Sequence, residues 1–175
     1  VVVSGLPRSG TSMMMQMLGA GGMPLLTDGR RGPDASNPRG YGEYEPARHL
    51  ARDSSWMESA AGKAVKIVSP LLRYLPEGFA YKVIFMERAL PEVLASQRVM
   101  LARLGQPAPS PAEDGLLAER FANHLCQVKD WLSRRPRLEV LYVDYRAAVA
   151  GEGLAVARRV GDFLQSVDVS ERRTM

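Results

Sequence analysis

The chain opens with Val1-Val2-Val3-Ser4-Gly5-Leu6-Pro7-Arg8-Ser9-Gly10-Thr11-Ser12, followed by Met13-Met14-Met15-Gln16-Met17-Leu18. A short β-branched run meets a tight turn with two glycines, and the turn delivers hydroxyl residues and a helix-forming stretch. This order predicts a buried strand over 1–5, a loop, and a helix from 9 to about 19. The first amides of a helix have no partner within it, and the helix dipole favours an anion in front of them. Gly5 and Gly10 permit the sharp bend and the close approach of backbone to ligand. Their Gly-x4-Gly spacing is that of a phosphate-binding P-loop, but Thr11 stands where such loops carry lysine. Arg8 is the only cation in the loop. The competing reading is a glycine-rich strand–helix turn that holds nothing, with Arg8 solvated.

The remaining pattern alternates. Strands are predicted over 23–26, 64–68, 81–86 and 138–143. Helices are predicted over 46–60, from 70 as a short element, and over 90–104, 111–133 and 153–165. A polar, Gly/Pro-rich stretch over 27–46 is long for a connection, and long ordered loops tend to carry function. Such alternation implies a three-layer α/β fold of the P-loop type, with a mainly parallel central sheet and helices on both faces. At 175 residues the chain fits one domain over 1–175. Ligands of such sheets bind beyond the carboxyl ends of the strands, so the polar residues there are the site candidates.

Composition narrows the classes. Apolar residues at 46% and charged residues at 24% exclude a disordered chain. The net charge of +4 suits an anionic ligand but is too small and too scattered to argue for nucleic acid. Cys126 is alone, which rules out an intrachain disulfide, and within a helix it reads as a small core residue. His49 and His124 are isolated, so no metal site is expected. No run approaches the ~20 apolar residues that span a bilayer. No signal peptide is visible, and a cytoplasmic location is expected. The chain opens inside a strand, which leaves room for a short leader before Val1.

A second constellation follows the strand over 81–86. Glu87-Arg88 ends it, and Ser96 stands eight residues after Arg88, about two turns into the next helix. Arg88 is thereby predicted on the rim that carries the P-loop. A guanidinium and a hydroxyl on one phosphate form charge-assisted bonds of ~1.5–3 kcal/mol each. Alternatively Arg88 pairs with Glu87 or Glu92, and Ser96 faces solvent. Spacing alone does not choose.

Together, Gly5-Leu6-Pro7-Arg8-Ser9-Gly10-Thr11-Ser12 and the apolar strand followed by Glu87-Arg88-x7-Ser96 resemble the sulfotransferase superfamily. The nearest branches are the bacterial and tyrosylprotein ones, whose loops read Pro-Arg-Ser-Gly-Thr. The resemblance spans roughly residues 1–144. It implies an enzyme that moves a sulfonate from 3′-phosphoadenosine-5′-phosphosulfate (PAPS) to an acceptor hydroxyl or amine, without a metal. It further implies that Arg8, beside Pro7, contacts the bridging and sulfonate oxygens. Ser9, Gly10, Thr11 and Ser12 would hold the 5′-phosphate, and Arg88 with Ser96 the 3′-phosphate. Leu141-Tyr142-Val143-Asp144-Tyr145 is similar to a strand these proteins place near the nucleotide. Relatives carry a further carboxyl-terminal segment over the adenine, and its glycine-rich basic motif is not found around Arg172-Arg173.

The chemistry accords with these residue types. Charge builds on the leaving phosphate oxygen as the S–O bond breaks, and oriented amides plus Arg8 stabilise it. Positioning and electrostatics dominate such transfers. The acceptor proton needs a base, and the loop over 37–46 bends back through Asn-Pro and Arg-Gly turns. Bacterial relatives read Asn-Pro-x-Gly-Tyr-x-Glu here, which favours Glu43. Glu45 is the second candidate, or simply an acid at a helix start, and His49 is the third. Many relatives carry a lysine two residues before a proline. Val68 occupies that place before Pro70, and Lys66 lies one pleat back, either reaching in or snorkelling.

Other residues read mainly as structure. The Met13–Met17 run is expected to pack the core or line an apolar acceptor pocket, and Trp56 and Trp131 are expected to anchor packing. Arg30, Arg31 and Arg39 read either as attracting an anionic acceptor or, as is usual for exposed loop cations, as simply solvated. The first rival function, a P-loop kinase or NTPase, needs a lysine beside Thr11 and a magnesium-holding carboxylate. Asp144 is the only strand-end candidate for the latter. The second rival is a non-catalytic nucleotide-binding module. The acceptor (small molecule, glycan or peptide) and the oligomeric state stay open.

Overall fold

Alternate residues of the strands carry two apolar surfaces, and the fold buries both. The computed structural model describes residues 1–34 and 37–165. Four strands, β1 (Val2–Gly5), β2 (Val65–Lys66), β3 (Tyr81–Glu87) and β4 (Leu138–Asp144), form one sheet in the order β2-β1-β3-β4. Every pairing is parallel. The helices are α1 (Thr11–Ala20), α2 (Glu45–Arg48), α3 (Leu90–Arg103), α4 (Pro111–Arg134), α5 (Tyr145–Val149) and α6 (Gly153–Gln165). Two 3-10 segments, Ser55–Ala60 and Ser69–Tyr74, flank β2.

On one face Val2, Val83 and Phe85 pack with Val128 and Leu132 of α4 and with Trp56, Met57 and Leu72 of the 3-10 segments. On the other, Val3, Ile84 and Met86 pack with Met14, Met15 and Leu18 of α1 and Val156 and Val160 of α6. The sheet therefore lies between two helical layers, as expected for a three-layer α/β fold. Burial on both faces explains why β3 reads as an unbroken apolar run. Each such side chain contributes ~1.5–3 kcal/mol relative to exposure.

Several elements differ from the sequence expectation. Residues 23–26 make a single parallel bridge, Leu25 to Ala64, rather than a strand. Pro24 has no amide and offers only its carbonyl, to the Ala64 N–H at 2.8 Å. The helix expected over 46–60 breaks into α2 and a 3-10 segment. Asp53 Oδ1 accepts the Ser55 N–H at 2.9 Å, and the Trp56 indole N–H donates to the Asp53 carbonyl at 3.2 Å. Such local side-chain bonds compete with the helical ladder. Cys126 is exposed, not core. The face of α4 turned to the sheet carries Leu125, Val128 and Leu132, and position 126 falls off that stripe. Met14 and Met15 are core residues, and Trp56 is buried edge-on to Tyr44 with ring centres 5.3 Å apart. The basic pair Arg172-Arg173 lies outside the described residues. Among the described residues, no helix is long and apolar enough to cross a membrane.

Strand register sets the site. Gly5 pairs with Met86, and Glu87 pairs with Asp144. Three strands thus end level, and the chain leaving each one emerges on a single rim. The P-loop, Arg88 and Tyr145 are the residues delivered there.

Tyr81, at the opposite end of β3, supplies an alkaline signature. Its hydroxyl donates to the Pro76 carbonyl at 2.9 Å, and burial pushes its pKa from 10.0 up to about 12. The folded state thus favours the neutral phenol. Its stabilisation is fully present below pH 10.0 and is lost as pH rises toward about 12. Burial also raises Tyr41 and Tyr142, so phenolate absorbance is expected to show Tyr81 titrating last, and Tyr81→Phe should remove that final transition.

Candidate functional site

The P-loop is shaped from inside. Ser9 is buried, and its hydroxyl donates to the Leu6 carbonyl at 2.7 Å. Its side chain holds the turn and does not line the cleft. Arg8 sits at φ 68°, a left-handed conformation uncommon outside glycine. Gly10 begins α1 at φ 100°, and a Cβ there would lie 2.5 Å from Cδ2 of Tyr145. The helix start has no side-chain cap and no acid in its first turn. Its leading amides are left for an anion. Gly10→Ala is expected to cost ~1–3 kcal/mol through strained backbone alone. It should also weaken the binding of an anion at the loop, probed with inorganic pyrophosphate, more than about tenfold, as the clash moves the loop or the ring. Denaturant melts and calorimetric titration read the two effects separately.

A cleft of about 550 Å³ opens over this loop, within the range of small-molecule sites. Pro7, Arg8, Gly10, Thr11 and Ser12 form its floor. Arg8, Arg31, Arg48, Lys66 and Arg88 bring positive charge to its lining, against one carboxylate, Glu43. This imbalance favours a polyanionic ligand.

Toward β3 the cleft contains Arg88 and Ser96. Arg88 Nη1 donates to the Arg8 carbonyl at 3.0 Å, and its guanidinium lies 4.1 Å over the Tyr145 ring. Its Nε donates to Glu92 Oε2 at 3.1 Å, and Arg146 bonds the other oxygen of Glu92. Arg8 Nε donates to Ser96 Oγ at 3.0 Å. The alternative pairing of Arg88 with Glu92 is therefore present. Ser96 nevertheless lines the cleft rather than facing bulk solvent, and the two predicted anion seats share one cavity.

Toward β2 the cleft contains Glu43 and Lys66. Lys66 Nζ donates to the Tyr41 carbonyl at 2.7 Å, Glu43 Oε1 at 3.2 Å and Ser12 Oγ at 3.3 Å. Its side chain is 8% exposed. Burial lowers its pKa, the Glu43 carboxylate opposes that shift, and Arg31 adds to it. Lys66 therefore reaches in and ties the long loop to the start of α1. Arg31 Nη1 also donates to Glu43 Oε1, at 3.1 Å, and its guanidinium lies 3.5 Å over the Tyr41 ring. The Tyr41 hydroxyl donates to the Asp34 carboxylate at 2.7 to 2.8 Å. Both cations thus meet one oxygen of Glu43, and Oε2 accepts no hydrogen bond among the described residues.

Glu45 and His49 are placed elsewhere. Glu45 bonds Arg48 and His49 at 3.3 and 3.2 Å, and it lines a separate depression with Asp28 and Asp53. Asp28 explains the divergence: its N–H donates to the Glu43 carbonyl at 3.2 Å, and its Oδ2 accepts the Glu45 N–H at 2.6 Å. The Glu45 N–H, with the Arg30 N–H that donates to Oδ1 at 3.0 Å, holds the Asp28 carboxyl below its usual range. Asp144 caps α5 through the Ala147 N–H at 2.9 Å and does not line the cleft. Among the described residues, no group of three His, Cys, Asp or Glu side chains could hold a metal ion.

Arg31 and Tyr145 are cleft residues that sequence reasoning named without counting them among the site residues. Arg31 reads as a solvated loop cation until Tyr41 and Glu43 fold against it. Tyr145 closes the stretch likened to a strand near the nucleotide, but nothing local assigns its side chain a role, because its neighbours Gly10 and Arg88 come from distant parts of the chain. No protein-family model matches the chain, and no curated protein or solved structure matches it either.

Proposed function

We propose that this chain is a sulfotransferase that passes the sulfonate of PAPS to an acceptor hydroxyl or amine. One observation carries the reading: the P-loop and the Arg88–Ser96 pair open into a single cleft and are laced through Arg8. A nucleotide with a phosphosulfate at one end and a 3′-phosphate on the ribose needs two such seats together. The α1 amides and Thr11 receive the 5′-phosphate, and Arg88 with Ser96 receives the 3′-phosphate. Arg8 turns from Ser96 to the sulfonate and bridging oxygen when the ligand arrives. The S–O bond to the phosphate breaks while a new S–O bond forms to the acceptor. The acceptor proton passes to Glu43 Oε2, and adenosine 3′,5′-bisphosphate leaves. Arg8 and the amides meet the charge developing on the leaving oxygen.

A titration tests this against the kinase reading. Adenosine 3′,5′-bisphosphate is expected to bind in the presence of EDTA with micromolar or better affinity. Binding of ATP that requires magnesium, with no binding of the bisphosphate, would sink the proposal. Transfer of label from PAPS to an acceptor panel then separates an enzyme from a non-catalytic binding module.

A further inference from the structure

The two arms of the cleft differ in their apolar lining. Sheet order puts β1 and its P-loop in the middle, β3 on one side and β2 on the other. Neighbouring strands lie roughly 4.8 Å apart, so the two arms are fixed on either side of the loop. The β3 arm presents Arg88, Ser96 and Gln97. The β2 arm presents Val68 and Leu71 from the segment after β2, and Tyr44 and Ala47 from the segment after Glu43. Val68 is 40% exposed, among the few large apolar side chains left open to solvent. Its backbone is extended, and the Leu71 N–H donates to its carbonyl at 2.9 Å, which fixes both side chains on one short turn.

The charged groups of that arm each have at least one partner. Lys66 is committed to Tyr41, Ser12 and Glu43. Arg31 pairs with Glu43, Arg48 with Glu45, and Asn37 accepts from Gln16. Among the described residues, Glu43 Oε2 and the Tyr44 hydroxyl take part in no hydrogen bond, and both share the cleft with the apolar wall of Val68 and Leu71. We infer that the β2 arm is the acceptor subsite and takes a single hydroxyl carried on an apolar carbon skeleton, not a glycan. This rests on the transfer reading above. A sugar pressed against Val68 and Leu71 would leave several hydroxyls dehydrated without partners, which is unfavourable. An alkyl or aryl alcohol gives up only one hydroxyl, and that hydroxyl meets Glu43.

Binding and transfer are tested separately. The protein is saturated with adenosine 3′,5′-bisphosphate, and straight-chain primary alcohols of increasing length are titrated by ligand-observed NMR. Affinity is expected to rise about three- to fourfold per methylene. Glucose, which also offers a primary hydroxyl, is expected not to bind. Val68→Asp should lower the affinity of the longest alcohol by about tenfold or more. Val68→Ser should lower it less, and it serves as the second variant should the charged one disturb folding. Both variants are expected to keep wild-type affinity for the bisphosphate, which reports an intact P-loop. Affinity independent of chain length, glucose binding as tightly as the alcohols, or indifference to both Val68 variants would overturn the inference. Labelled PAPS supplied with the same alcohols forms the second arm. Val68-dependent binding without transfer counts against the sulfotransferase reading and leaves the apolar subsite standing.

Discussion

Arg8→Ala is expected to slow sulfonate transfer by ~10²–10³ while weakening adenosine 3′,5′-bisphosphate binding by only about tenfold. The two numbers separate because Arg8 serves the cleft twice. Its carbonyl accepts Arg88 Nη1, and its side chain bonds Ser96. Alanine keeps the carbonyl, so Arg88 stays in place and the 3′-phosphate seat survives. The lost group is the guanidinium, whose attraction grows as negative charge builds on the leaving oxygen. Interactions stronger in the transition state than in the ground state are the ones that alter kcat. Arg8→Lys is expected to recover only part of the rate, because an ammonium cannot span the bridging and sulfonate oxygens as a planar fork can. Residue 8 also sits at φ 68°, so both replacements carry the same backbone strain as wild type. Steady-state rates with labelled PAPS, paired with calorimetry on the same preparations, give the split. Full activity in Arg8→Ala would remove Arg8 from the chemistry.

The parts of this site that could be read from the sequence are the local ones. Strand, glycine turn and uncapped helix are consecutive in the chain, so the P-loop follows from residue types alone. Arg88 and Ser96 are fixed by one strand end and two turns of one helix. What could not be read depends on contacts between distant segments. Asp28 staples residues 43 and 45 across the long loop, and this sends one glutamate into the cleft and the other to the outer surface. Two acids separated by one residue in a loop carry no periodic signal to tell them apart. Arg31 and Tyr145 were named without a site role for the same reason: each acquires its place by stacking, one on Tyr41 and the other under Arg88. The broken helix over 46–60 is a smaller instance, because Asp53 supplies an alternative partner for the backbone at the point where the helix would continue.

Glu43→Gln is expected to reduce kcat by ~10²–10⁴ and to leave bisphosphate affinity within about twofold. Glutamine keeps an amide oxygen for Arg31 and Lys66, so the loop stays tied, while the capacity to take a proton and the carboxylate charge are lost. Glu43→Ala differs in a way that stability measurements detect. It strips the carboxylate from Lys66, which is 8% exposed and already pulled toward its neutral form by burial. An unpaired buried donor costs ~1–3 kcal/mol. The sign with pH follows from linkage. A lysine whose folded pKa lies below 10.5 destabilises the fold fully at pH below that folded value. The cost is relieved as pH rises through the folded value toward 10.5. Removing Glu43 lowers the folded value further, so the deficit of Glu43→Ala relative to wild type should be largest near neutral pH and shrink in alkaline buffer. Glu43→Gln also loses the carboxylate charge and keeps only the hydrogen bond to Lys66, so its deficit should have the same pH dependence but a smaller size, alongside the loss of turnover. A glutamine variant with undiminished kcat would move the proton acceptor elsewhere. Equal pH profiles of stability for alanine and wild type would mean that Lys66 does not depend on Glu43 for its charge.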